Sequence, residues 1–422
     1  MNAADALIEY LIRKTKAVNP EVLEKARDCL LDFLGVTTAG AWKTREQWDL
    51  FLRYVPAGKA ALYGYGKTAD SKTAALINGF NAHALELDDG QRFAMIHLGA
   101  AVISAIDAAS SVFPVAEDAF LRGIVMGYEA ACRVAVAMQP SHKQKGYHTA
   151  GTCGTIGAAL GVAFALGMDK KQLKKVLTAA AGSSAGLLEI QEQGSEMKPY
   201  NLGRAAMDGL TAAYMGLSGF EAPEDMLGGE RGFFNTFSDQ WDLEKLIGPQ
   251  DYFEIQRIYV KPYASCRHSH SAIEAALRLK GQVNTDEIEE VLVETYKLGV
   301  KGHDHREIRG VASAKLSTPY AVAAALLYGR ADLSVFEPLD EKAAALAQKV
   351  AVQESQELTA ESPQKRIAVV TVKTRGGKIL TERVDYAKGD PENPMSREEI
   401  TEKIRLLVGE EHCREMLERV LA

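Results

Sequence analysis

Apolar residues recur with a 3.6-residue period through most of the first 250 positions, which predicts a succession of amphipathic and buried helices. Asn19-Pro20 reads as an N-cap with proline in the first turn, and Leu23, Ala26, Leu30, Phe33 and Leu34 then fall on one face. Similar segments run over 73–86, 100–112, 116–137, 152–166, 170–188 and 203–217. Strand-like alternation is nearly absent here, so this part is expected to be all-helical.

The pattern changes after Gly248-Pro249. Residues 252–260 are β-branched and aromatic, 269–282 are helical, and 288–300 alternate with period two. Strands are predicted over 366–374 and 378–386, joined at Gly376-Gly377 by a type I′ turn, with helices near 313–328 and 338–351. The Pro-containing stretch 388–396 reads as a linker and 396–421 as helical again. A terminal helix that short needs a partner surface, so it is expected to pack back on the first domain. The expected fold is mainly α with a smaller α+β domain: a discontinuous helical domain of 1–255 and 389–422, and an α+β lid domain of 256–388.

Composition narrows the function classes. The 422 residues are 47% hydrophobic, enough for two domains with sizeable cores, and carry a formal net charge of -7. With 49 Lys+Arg scattered among 56 Asp+Glu there is no basic face for nucleic acid. The five cysteines, Cys29, Cys132, Cys153, Cys266 and Cys413, are widely spaced and include no Cys-x-x-Cys, which argues against a disulfide framework or a thiolate zinc site. The N-terminal stretch reads as a helix of a mature cytoplasmic protein. Residues 149–168 are uncharged over a length that can span a bilayer, but Gly151, Gly154, Gly157 and Gly161 form a smooth stripe suited to close helix packing, so a buried helix is expected and no membrane partner.

Five polar clusters interrupt the apolar pattern. The first, "HALELDDGQRFAMIH" (83–97), sets Glu86, Asp88 and Asp89 between His83 and His97. Carboxylates this close raise one another's pKa. The same residues also suit a solvated loop with helix capping, and the stretch lacks the second helical histidine of His-Glu-x-x-His. The second, "KGYHTAGTCGTIG" (145–157), places His148 at a helix N-terminus, where the dipole favours a neutral imidazole. No strand precedes it and no Gly-Lys-Ser/Thr follows, so it is not a nucleotide loop.

The third, "SEMKPYNLGRAA" (195–206), puts Lys198 before Pro199. The fourth, "VKPYASCRHSH" (260–270), is the densest, with Lys261, Tyr263, Cys266, Arg267, His268 and His270 between a predicted strand and a helix. Its His-x-His and that of His303 and His305 leave a metal-dependent hydrolase open, and Cys266 beside Arg267 and His268 leaves a thiol nucleophile open. The fifth, "SAKLSTPYAVAAALLYG" (313–329), carries Tyr320 at the head of an apolar helix, where it also suits a backbone contact.

Five stretches, in this order and at these separations, resemble the MmgE/PrpD family: "NGFNAHALELDD" followed by "IHLGAA", "YHTAGTCGTIGAA", "MKPYNLGRAAMDGL", "VKPYASCRHSHSAIEAAL" and "AKLSTPYAVAAALL". The resemblance spans essentially the whole chain. It implies a large helical domain and a smaller α+β lid domain with the pocket between them, and usually a homodimer. It also implies cofactor-free chemistry, without a metal, on small di- or tricarboxylates: proton abstraction next to a carboxylate, then loss of water, loss of CO2 or inversion of a centre.

The residues suit that chemistry. Lys198, Lys261 and Arg267 are the candidate cations for a polycarboxylate, joined by Glu86, Cys266 and His268 as substrate-binding positions. His97 or His148 supplies a base, Asp88 or Asp89 orients a histidine, and Tyr320 is the candidate proton donor or relay. Where the family commonly has Asp-x-Asp-Asp-Thr, this chain has Glu86-Leu87-Asp88-Asp89-Gly90, which loses a hydroxyl contact. Leu98 replaces a common proline, the spacer to His97 is one residue longer than in the decarboxylases, and Cys266 falls where they carry histidine. These departures put a decarboxylase last; a 2-methylcitrate dehydratase-like hydro-lyase is expected first, with an iminodisuccinate epimerase-like isomerase as the alternative. The rivals are a metal-dependent hydrolase and a non-catalytic carboxylate binder.

Overall fold

A computed structural model describes residues 2–421. The chain is mainly α with a smaller α+β part and divides into two compact units. The larger comprises Met1–Glu192, Met197–Tyr259 and Ser396–Ala422, and the smaller Gln193–Glu196 and Val260–Met395.

In the larger unit the periodic segments form α1 (Ala3–Thr15), α2 (Pro20–Lys43), α3 (Ser71–Ala84), α4 (Gly99–Ser110), α5 (Glu117–Met138), α6 (Thr149–Ala165), α7 (Lys170–Ser183) and α8 (Tyr200–Met215). The Asn19 side chain caps α2 by accepting from the Val22 N–H at 3.0 Å, with Pro20 in the first turn. The glycine stripe works as its spacing predicts: α6 packs against α4, α5 and α8. A Cβ on Gly157 would stand 2.7 Å from the Gly127 carbonyl oxygen and 2.6 Å from Ala131 Cβ. The backbones of α5 and α6 thus approach too closely for any side chain there. Among the described residues no helix is long and apolar enough to cross a membrane.

Two details differ from the expected all-helical layout. An antiparallel hairpin of β1 (Ala60–Leu62) and β2 (Lys67–Ala69) packs against α3. The predicted strand over 252–260 is instead a 3₁₀ turn, Glu254–Arg257, followed by a single bridge of Tyr259 to Gly90. The backbone turns at Glu254 because its N–H donates to the buried Glu129 carboxylate at 2.8 Å. The C-terminal segment forms two helices, Arg397–Val408 and Glu410–Leu421, broken at Gly409 with φ +82°.

The smaller unit is built on a four-stranded sheet of order β4-β3-β5-β6, from β3 (Ile288–Thr295), β4 (Val350–Glu354), β5 (Ala368–Thr374) and β6 (Ile379–Val384). β4 lies parallel to β3 and begins where a helix over 338–351 was expected; the helix is only Glu341–Ala347, and the apolar run beyond it pairs as a strand. The β5–β6 hairpin also departs from expectation. Its loop is three residues long, with Thr374 N–H donating to the Lys378 carbonyl at 2.9 Å and only Gly377 at positive φ, so the type I′ turn is replaced by a turn with one left-handed glycine. Helices His270–Leu279 and Thr318–Tyr328 pack together in this unit.

Candidate active site

The clustered carboxylates follow from how α3 ends. The helix stops at Ala84, the Glu86 N–H donates to the His83 carbonyl at 3.1 Å, and Glu86 adopts φ +57°, a strained value for a side chain with a Cβ. This turn points the carboxylates of Glu86 and Asp88 back at His83. From Gly90 the chain is tied to Tyr259 by two backbone hydrogen bonds, then closes on itself between Gln91 and Ile96, which returns His97 to the same place. The Gln91 side chain braces the loop, accepting from Ala94 N–H at 2.7 Å and donating to the buried Glu254 at 2.7 Å.

The result is a buried His–Asp–His cluster. His83 Nδ1 lies 2.8 Å from Asp88 Oδ2, His97 Nδ1 lies 3.3 Å from the same oxygen, and the two rings are 4.6 Å apart. On its other side His83 Nε2 is 3.3 Å from Glu86. Burial by itself would depress the His83 pKa, but the charges of Asp88 and Glu86 outweigh it and raise the pKa above 6.5. The Asp88 and Glu86 carboxylates thus favour the protonated form of His83. His97 Nδ1 sits 2.7 Å from the Asp89 carbonyl oxygen, an acceptor, so Nδ1 bears a hydrogen and Nε2 is left for other partners.

Asp89 turns the other way. Its carboxylate accepts from the Tyr128 hydroxyl at 2.5 Å and from the Gly99 N–H at 2.9 Å, at the start of α4. Burial pushes its pKa up to about 6, against hydrogen bonds that favour the charged form.

His148 and Lys198 complete the cluster in the larger unit. His148 occupies the cap position of α6, and Asn201 Nδ2 donates to its Nδ1 at 3.0 Å, which leaves the ring hydrogen on Nε2. Its pKa is well below the usual value, first through burial and then through the nearby charges of Lys198, His83 and His97. Neutral imidazole was expected there on the helix dipole; desolvation is the larger cause. Lys198 forms an ion pair with Glu86.

The other predicted positions belong to the smaller unit. Lys261 is fully buried, and Arg267 Nη2 lies 2.5 Å from the buried Asp390. His268 Nδ1 meets the Tyr296 hydroxyl at 2.6 Å and its ring stacks on His303 at 5.0 Å. Cys266 Sγ is 3.8 Å from His303 Nε2, while His303 Nδ1 donates to the Leu316 carbonyl at 3.0 Å. His303 and His305 each bond a backbone carbonyl, so they do not converge as a ligand pair. The Tyr320 hydroxyl donates to the Val335 carbonyl at 3.0 Å and accepts from Asp340 N–H at 2.9 Å, the backbone contact that its position also suited.

Three further residues shape the histidine cluster: Tyr128 on Asp89, Asn201 on His148, and Tyr259, whose hydroxyl fills the space a Cβ at Gly90 would enter. Asn201 lies three positions beyond Lys198, inside a stretch already singled out, whereas Tyr128 and Tyr259 sit in apolar runs that hide them.

The ligand atoms of His83, Asp88 and His97 lie within 4.8 Å of one another, a spacing that metal ligands share. A wider cavity of about 450 Å³, lined by Phe113, Phe164, Met168, Leu217 and their neighbours, contains no ionisable side chain.

Fold and cluster together define a two-unit protein whose helical part carries a buried histidine–carboxylate cluster. The chain belongs to the MmgE/PrpD family: the family's N-terminal domain matches residues 9–246 and its C-terminal domain residues 263–421. Among its relatives, cis-aconitate decarboxylase of Aspergillus terreus is 27% identical, over 94% of this chain and 86% of its own length. A cis-aconitate decarboxylase-like protein of Aspergillus oryzae is 26% identical, over 96% and 90%, and human cis-aconitate decarboxylase 21%, over 93% and 84%.

Proposed function

We propose that the protein is a cofactor-free lyase of small di- or tricarboxylates, working by proton transfer at a carbon next to a carboxylate. The observation that carries this reading is the sharing of one Asp88 oxygen by two imidazoles, His83 and His97. Removal of an α-proton needs a base within reach of it, and we assign that role to His97 Nε2. Charge then develops on the substrate carboxylate. Lys198 and the Nε2–H of neutral His148 are the donors that meet it in this unit.

Lys261, Arg267, Cys266 and His268 of the smaller unit are proposed substrate contacts on the family resemblance, and Tyr320 a proposed donor on the same ground. Arg267 would then have to share its charge with Asp390, and Tyr320 its hydroxyl with two backbone groups.

For the leaving group, dehydration is the reading the residues favour: it moves two protons, one off carbon and one onto the departing hydroxide, and the cluster has both a base and a neutral N–H donor. Decarboxylation is the second reading, favoured by the names of the relatives. There the bond to CO2 breaks and the carbanion takes a proton from a histidine. Inversion of a centre is the isomerase alternative, in which the proton returns to the opposite face.

Incubation in D2O with a hydroxy-tricarboxylate, an unsaturated tricarboxylate and an imino-dicarboxylate, followed by NMR, tests the proposal. A new alkene formed with loss of water supports the hydro-lyase. Release of CO2 with one deuteron on carbon selects the decarboxylase, and exchange with inversion the isomerase. Absence of exchange and turnover with all three would sink the proposal.

A further inference from the structure

Behind the acid–base cluster, in the same unit, a lysine from the far end of the chain reaches the turn that builds it. Lys403, on helix Arg397–Val408, is buried. Its Nζ donates to Asp32 Oδ1 at 2.6 Å and to the Leu87 carbonyl oxygen at 2.7 Å. Asp32 lies on α2 and is itself buried.

Leu87 stands between Glu86, held at φ +57°, and Asp88, whose Oδ2 both histidines share. The turn is therefore gripped from two sides: Lys198 holds the Glu86 side chain and Lys403 the next carbonyl. A small cavity of about 10 Å³ lies beside the turn, with Asp32, Asp88 and Asp89 in its lining.

We infer that Lys403 is a positioning residue for the acid–base centre: by tethering the Leu87 carbonyl it fixes the strained turn that sets Asp88 against His83 and His97. This rests on the proposed function only for its effect on turnover. The tether is distinguishable from a charge effect. With Lys403 replaced by methionine, Asp32, already pushed toward its neutral form by burial, takes up a proton. The lysine–aspartate pair has no net charge, and neither has the methionine–aspartic acid pair. What changes is the hold on Leu87.

The test compares the full-length protein with Lys403→Met, Lys403→Arg and the double variant Asp32→Asn/Lys403→Met, which leaves no buried unpaired charge if the single methionine variant fails to fold. Histidine ring NMR follows His83, which faces Asp88 and Glu86 and feels Lys198, and needs no substrate. The double variant is expected to melt cooperatively. Its His83 titration midpoint should fall from its raised position toward about 6.5. The kcat should drop about ten- to a hundredfold, with KM changed by less than about threefold. Lys403→Arg, which keeps donors and charge, should restore both.

A double variant that folds, titrates His83 like the wild type and keeps its kcat overturns the inference. So does a loss of activity carried by KM alone with His83 unmoved. If the wild type turns over no polycarboxylate, the functional reading fails while the His83 titration still decides the role of Lys403.

Discussion

The Tyr128 hydroxyl donates to Asp89 Oδ2 at 2.5 Å, yet burial still holds the Asp89 pKa at about 6. An acid whose folded pKa lies above its unfolded value of 3.8 binds more protons folded than unfolded between those values. Its contribution to stability therefore falls as pH rises from about 4 to about 6 and stays low above that. At about 1.4 kcal/mol per pKa unit, keeping Asp89 ionised costs on the order of 3 kcal/mol at pH 7. Asp89→Asn, which keeps an acceptor, is expected to melt higher than the wild type at pH 8 and to lose that advantage by pH 4. Calorimetry across this range checks it, and an unchanged pH profile would refute it.

His83 works in the opposite sense. A base with a raised folded pKa stabilises fully below its unfolded value of 6.5, and that stabilisation is lost as pH rises through the folded value. His83→Gln should lower stability most below pH 6.5 and progressively less at alkaline pH. Denaturant melts at pH 6 and pH 9 would show the difference.

His97 is the proposed base, so His97→Asn should reduce kcat at least about a hundredfold. Asparagine keeps an N–H for the Asp89 carbonyl, and the melting temperature is expected to stay within a few degrees. Turnover near the wild-type rate would transfer the role to His148.

Lys198 depresses the His148 pKa and pairs with Glu86. Replacement by methionine should raise KM for a polycarboxylate and move the His148 titration midpoint upward, which ring-proton NMR can follow. A midpoint that stays put would separate the two residues electrostatically.

At Gly90 a Cβ would run into the Tyr259 hydroxyl and the Ile96 carbonyl. Gly90→Ala is expected to cost about 1–3 kcal/mol of stability and to lower kcat by displacing His97. Tyr259→Phe in the same background should recover part of both, because it removes the nearest clashing atom. Thermal melts paired with initial rates measure this.

Much of the fold was legible from the chain alone. The N-cap at Asn19, the helical periods and the glycine stripe of α6 are local signals, because propensity, capping and side-chain size act within a turn or two. The five polar stretches were legible for the same reason, and their order carried the family. Strand Val350–Glu354 was not: its apolar residues continue a helical pattern, and only pairing with Ile288–Thr295 makes them a strand.

Lys403 shows where local reading ends. It lies between Ile400 and Ile404 on the buried face of its helix, a place where an unpaired lysine would be costly, so the sequence marks it as anomalous without saying why. Its partners, Asp32 and the Leu87 carbonyl, are 371 and 316 residues away. Sequence by itself determined which residue types were present and which elements carry them. Only the tertiary structure decided that one Asp88 oxygen serves two histidines, because charge, hydrogen bonding and desolvation depend on distances of a few ångströms between segments that are remote along the chain.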